Sequence, residues 1–170
     1  MNKQERDIIA SLNPIFQTFV WMLIAFADAL LAGHSFRFSV TSYAQPWKGG
    51  NRTTGQQAAE FRARRSKRDG VKRKSKHQFG LAIHFGFRDR RNPNLYYDPA
   101  KMRPAMLALF WAIVVEAERI GFICGIRFEP IENGVGWDPE HFESGPKMGI
   151  DNQVVGMDEL YTGNAGEQGV

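Results

Sequence analysis

Apolar residues recur at helical spacing through Ile15, Phe16, Phe19, Met22, Leu23, Phe26 and Leu30, the period of one helix face. Asn13 and Pro14 stand where such a helix begins, since proline is tolerated in a first turn. Gly33 ends it. The period then changes to two. Over 35–42, Phe36, Phe38 and Val40 point one way and Arg37, Ser39 and Thr41 the other, which predicts a half-buried strand. Residues 46–51 read as a Gly-rich loop. Thr53 or Thr54 caps a second helix, because Gln56 and Gln57 stand three residues later in each case. This helix is expected to run to about Ser66, with a loop over 68–76. A second strand spans 81–87: Leu81, Ile83, Phe85 and Phe87 form an apolar face, and Ala82, His84 and Gly86 a nearly bare one. After a polar loop over 88–97, Asp98 and Pro99 open a third helix. Met102, Met106, Phe110, Ile113, Val114, Ala117 and Ile120 line its buried side, Pro104 delays its regular part and Gly121 closes it. A third strand is expected over 122–128, with Phe122, Cys124, Ile126 and Phe128 on one face. A turn-rich loop leads from there to the segment 137–143.

Helices and strands do not alternate strictly. The pattern predicts an α+β fold with a small, mainly antiparallel sheet and helices packed on one face. A chain of 170 residues suits one domain, here expected over 1–145. The Gly-rich, weakly acidic stretch 146–170 reads as a flexible tail. No internal repeat is present. Residues 8–27 carry no charge, and about 20 apolar residues can span a bilayer. Asn13, Pro14 and Gln17 interrupt the run and Asp28 follows it, so a buried helix is the expectation and a membrane-tethered N-terminal helix the weaker alternative. Residues 1–7 carry mixed charge and resemble no cleavable signal peptide.

The formal charge of +4 is unevenly spread. Arg62, Arg64, Arg65, Lys67, Arg68, Lys72, Arg73, Lys74 and Lys76 face one acid, Asp69. Such a run is either a solvated face or a surface that attracts a polyanion. Base stacking needs aromatic side chains among the charges, and 62–76 has none. A zinc-stabilised polyanion-binding module is therefore the weaker alternative to an enzyme, and no specific nucleic acid is expected. The single cysteine, Cys124, excludes an internal disulfide and a Cys-based zinc site.

A hydrolytic zinc site needs three protein ligands, an open position and a carboxylate in reach of water. His77 and His84 lie in one short segment, where Gly80 can supply the bend that brings them together. Ala82 and Gly86 leave space beside His84. His141 is the third candidate. Asp138, three residues before it, can take a proton from water and return it to a leaving amine; Glu140 is its rival. All three imidazoles must be neutral to bind metal, so affinity is expected to fall steeply toward pH 6.5.

Ser75, His77, Gly80 and Ala82, followed by Asp138, His141 and a nearby Trp137, resemble the motif of a zinc peptidase family. That family includes D-alanyl-D-alanine peptidases and phage L-alanyl-D-glutamate endolysins, and shares a fold with the hedgehog signalling domain. Arg52-Thr53-Thr54-Gly55-Gln56-Gln57 matches its upstream segment, and His141-Phe142-Glu143 its endolysin branch. The resemblance implies one Zn2+ held by His77, His84 and His141, with Asp138 as base. It implies that Arg52 holds the scissile carbonyl or its oxyanion, and that Ser75 either binds a substrate carboxylate or shapes the turn. The implied activity is hydrolysis of a peptide bond in bacterial peptidoglycan stem peptides by a monomer. The enzyme would be made in the host cytoplasm and act in the periplasm or cell wall, with 62–76 on the anionic envelope. D-alanyl-D-alanine carboxypeptidase or dipeptidase action is the alternative. The family has Asp where this chain has His84; Asp89 and Glu143 are the reserve ligands.

Overall fold

A computed structural model describes residues 1–41, 51–64, 66, 68–72, 74–129, 131–132 and 135–150. Most of the expected 46–51 loop, Arg65, Lys67 and Arg73 of the basic run, and the expected tail from 151 onward lie outside these residues.

The chain opens with a helix that the apolar pattern did not predict, α1 (Lys3–Ala10). Asn2 accepts from the Glu5 amide and the Glu5 carboxylate accepts from the Asn2 amide, a reciprocal capping box. The uncharged run therefore breaks at 11–13, where Asn13 caps α2 (Pro14–Leu30). Among the described residues no helix is long and apolar enough to cross a membrane. The buried face of α2 is Phe16, Val20, Leu23, Ile24 and Ala27, whereas Ile15, Met22 and Phe26 are exposed. Apolar residues lie almost all round this helix, so packing against α1 and against α4 (Pro104–Ile120) selects the face.

Strand β1 (Phe36–Val40) buries Phe36, Phe38 and Val40 as expected. Ser39 and Thr41 are buried too, because α1 packs on this strand. Buried Glu5 accepts from the Ser39 hydroxyl and pairs with Arg37 at 2.9 Å. Glu5→Ala is expected to lower stability in urea unfolding by roughly 3 kcal/mol, since it strands one member of a buried pair. Burial raises the Glu5 carboxyl, but Arg37, Ser39 and Asn2 outweigh it and leave it below its usual value. Its contribution is thus complete above about pH 4.3 and lost as pH falls through the lowered folded value. That part of the acid sensitivity disappears in Glu5→Ala.

Helix α3 (Thr54–Arg62) is capped by Thr53, with Gln56 completing the box. It stops at Arg62 rather than Ser66, and Arg64 adopts a left-handed φ of 57°. Strand β2 (Ala82–Asp89) follows, and the loop after it contributes a short strand, β3 (Tyr96–Tyr97). Asp98 caps only a 3-10 turn; the regular helix α4 waits for Pro104. Strand β4 (Phe122–Cys124) is shorter than expected. Gly125 turns the chain into a 3-10 turn against the Asp138 carbonyl, where no side chain would fit. A hairpin, β5 (Ile131–Glu132) and β6 (Val135–Gly136), leads to β7 (His141–Ser144).

The sheet order is β1-β2-β7-β4, with β3 also on β2, and every pairing is antiparallel. Phe38, Phe87 and Phe142 meet Phe110 of α4 on one face of the sheet, and Phe85 packs on Phe38 and Phe142. Phe16 of α2 packs on Phe122. This is an α+β fold with helices over an antiparallel sheet. Residues 146–150 do not belong to a loose tail: Met148 and Ile150 are buried in the core.

Candidate metal centre

On β2, Leu81 precedes a strict alternation. Ile83, Phe85 and Phe87 enter the core with no exposure, so His84 faces the opposite side of the sheet. Strand β7 lies directly beside β2, and the register places His84 opposite His141. Opposed residues of an antiparallel pair have Cβ atoms about 4.5–5.5 Å apart, which brings the two rings together. His77 arrives from a 3-10 turn, Lys76–Phe79. Ser75 caps that turn by accepting from the His77 amide, and Gln78 closes the box on the Ser75 amide. Gly80 ends it at φ 66°, and a Cβ there would stand 2.7 Å from the Asn13 nitrogen. The bend expected at Gly80 thus has a steric basis.

The three histidines converge. His84 Nε2 lies 3.2 Å from His77 Nε2 and 3.2 Å from His141 Nδ1, and the three rings stand edge to face at 69–73°. One ring nitrogen carries either one proton or one lone pair, so His84 Nε2 cannot bond well to both neighbours. Nitrogens bound tetrahedrally at 2.0–2.1 Å would be about 3.3 Å apart. The cluster is close enough to bind a metal ion. Its donor set is all imidazole, borderline in softness and suited to zinc, copper, iron or nickel.

No protein-family model matches the chain, and no curated protein is significantly similar to it. A turn in which the His141 amide donates to the Asp138 carbonyl folds Asp138 back over the rings. Its Oδ2 lies 3.9 Å from His84 Nε2 and 3.7 Å from His141 Nδ1. The rival Glu140 is buried, and its backbone carbonyl accepts from the Phe85 amide between the strands. Burial first, then the positive charge of His141 and Arg52, pushes His84 down to about 3 despite Asp138. Burial also acts to lower His141, but the bond and charge of Glu143 and the charge of Asp138 raise it overall.

Arg52 is buried and donates to Gln57 Oε1 at 3.3 Å, while its amide donates to the His77 carbonyl. Its charge reaches both His84 and His141. Gln57 also donates to Ser66 and to the Arg68 carbonyl, so the upstream motif braces the arginine and the basic loop together.

The reserve ligands take other places. Asp89 accepts from the Arg91 and Asn92 amides and from Tyr97, in the turn beyond β2. Glu143 does not join the ring cluster but accepts from His141 Nε2 at 2.8 Å. Lys76, counted with the basic surface, is buried and donates to the Ser144 carbonyl. The space expected over Gly86 is occupied by Tyr96, whose hydroxyl lies where a Cβ would stand. Two further residues line the site side. The Phe128 ring centre lies 5.7 Å from His141 and packs on Trp137, which is 41% exposed. Buried Glu60 of α3 acts on His84 with its charge. Neither carries a sequence signal, since Phe128 reads as the end of a strand and Glu60 as a polar helix position.

Proposed function

We propose that the chain is a zinc peptidase that hydrolyses a peptide bond in peptidoglycan stem peptides, of the L-alanyl-D-glutamate type. The observation that carries the reading is Asp138 beside His84 and His141 of the three-imidazole cluster. Among the described residues the group of mutually close donors is His77, His84 and His141, and in this reading Asp138 beside them serves as a base rather than a fourth ligand. Zinc bound there would polarise the scissile carbonyl and acidify water. Asp138 would take the proton of the attacking water and return it to the leaving amine. Buried Arg52 would stabilise the oxyanion with a charge already in place. Trp137 and Phe128 would wall one side of the peptide, and Ser75, besides capping its turn, would reach a substrate carboxylate.

Arg62, Arg64 and Lys72 are exposed and would hold the enzyme on anionic wall polymers in the periplasm or cell wall. Digestion of purified peptidoglycan by the zinc-loaded protein, followed by mass spectrometry, is the test. New L-alanyl carboxyl and D-glutamyl amino termini are expected; release of D-alanine would assign the alternative bond, and no new termini would sink the reading. Digestion of intact sacculi is expected to slow with added salt, while that of a soluble stem peptide is not.

A further inference from the structure

We propose that Glu143, braced by Lys76, is the positioning residue that makes His141 a metal ligand. The proposal rests on the three-histidine cluster being a metal site. The cluster uses different atoms of its histidines: His77 and His84 present Nε2, whereas His141 presents Nδ1. A ring can ligate only through a nitrogen that carries no proton, so His141 must keep its proton on Nε2. That nitrogen lies 2.8 Å from Glu143 Oε2. A carboxylate accepts and cannot donate, so Glu143 holds the proton on Nε2 and turns the Nδ1 lone pair toward the cluster. Outer carboxylates of this kind fix both the tautomer and the orientation of a ligating ring.

The strand places Glu143 there by its period of two. His141 and Glu143 are two apart on β7 and share a face. Glu143 sits opposite Ala82 in the register. Lys76 Nζ reaches Glu143 Oε1 at 3.9 Å and donates to the Ser144 carbonyl. Lys76 directly precedes His77. The turn that delivers one ligand therefore also braces the partner of another, and the two halves of the site are tied across the sheet.

The test uses the full chain and zinc(II), titrated against a competing chelator, with nitrogen-15 NMR of the histidines in the metal-free protein. In the wild type, at a pH where the ring is neutral, His141 should carry its one proton on Nε2. Glu143→Leu removes the acceptor, and zinc affinity should fall about 10–100-fold, with Nε2 no longer uniquely protonated. Glu143→Gln keeps an acceptor oxygen of the same shape and should recover part of the affinity and the Nε2 proton. If Glu143→Leu does not fold, Glu143→Gln decides: a loss of several-fold supports the role of the charge. An unchanged zinc affinity and unchanged His141 signals in a folded variant would overturn the proposal. If the wild type itself takes up no zinc, the metal reading fails, whereas the tautomer measurement still judges Glu143 separately.

Discussion

Asp138→Asn is expected to retain its zinc and lose most of its turnover on peptidoglycan, by about 10²–10⁴-fold, the typical contribution of a general base. The replacement is isosteric, and the turn it belongs to is made by the Asp138 backbone carbonyl, so the fold should survive. The asparagine amide would still lie beside His84 and His141 but could not accept a proton. Zinc content by mass spectrometry and initial rates on a soluble stem peptide check the two halves of the expectation. Full activity in Asp138→Asn together with an inactive Glu140→Gln would move the base to the other carboxylate.

His84→Ala should lose zinc by more than the roughly 10–100-fold that removal of an outer partner costs, because it deletes one of three donor nitrogens. His84→Asp should hold the metal. Stoichiometric zinc in His84→Ala would show that the ligand set is wrong. The structure also revises how the site responds to acid. The residue types alone suggest three protons competing with the metal near pH 6.5. Burial, helped by His141 and Arg52, has already pushed His84 down to about 3, so this ring has no proton to lose at neutral pH. His141 is raised, by Glu143 and Asp138 acting against its burial. As pH falls, protons should displace the metal first through His141, the ring whose affinity for a proton is raised. His84→Asp should therefore leave the steepness of metal loss near neutral pH almost unchanged. A clearly shallower loss would show that His84 is protonated in the metal-free protein.

Local chemistry made much of this molecule legible. Pro14, Thr53 and Pro104 set helix starts through backbone geometry and capping, which need no distant partner. The alternation from Leu81 to Phe87 separated core from site because a strand has only two faces. The spacing of Asp138 and His141 became a turn that superposes carboxylate and ring. Helix α1 was also readable, in the Asn2 and Glu5 capping box, although apolar periodicity did not reveal it.

Tertiary structure decided the rest. An almost uniformly apolar α2 has no preferred face until α1 and α4 cover it. Lys76 looks like one more surface cation, yet β7 carries a carboxylate and a carbonyl to meet it. Phe128 leaves the expected strand because the chain at Gly125 must pass the Asp138 carbonyl. Above all, the pairing of His84 with His141 depends on β7 entering between β2 and β4. A four-residue strand has too few positions to show a period. Residue types and spacing along the chain thus determined which side chains can do chemistry; only the register between distant strands determined which of them meet.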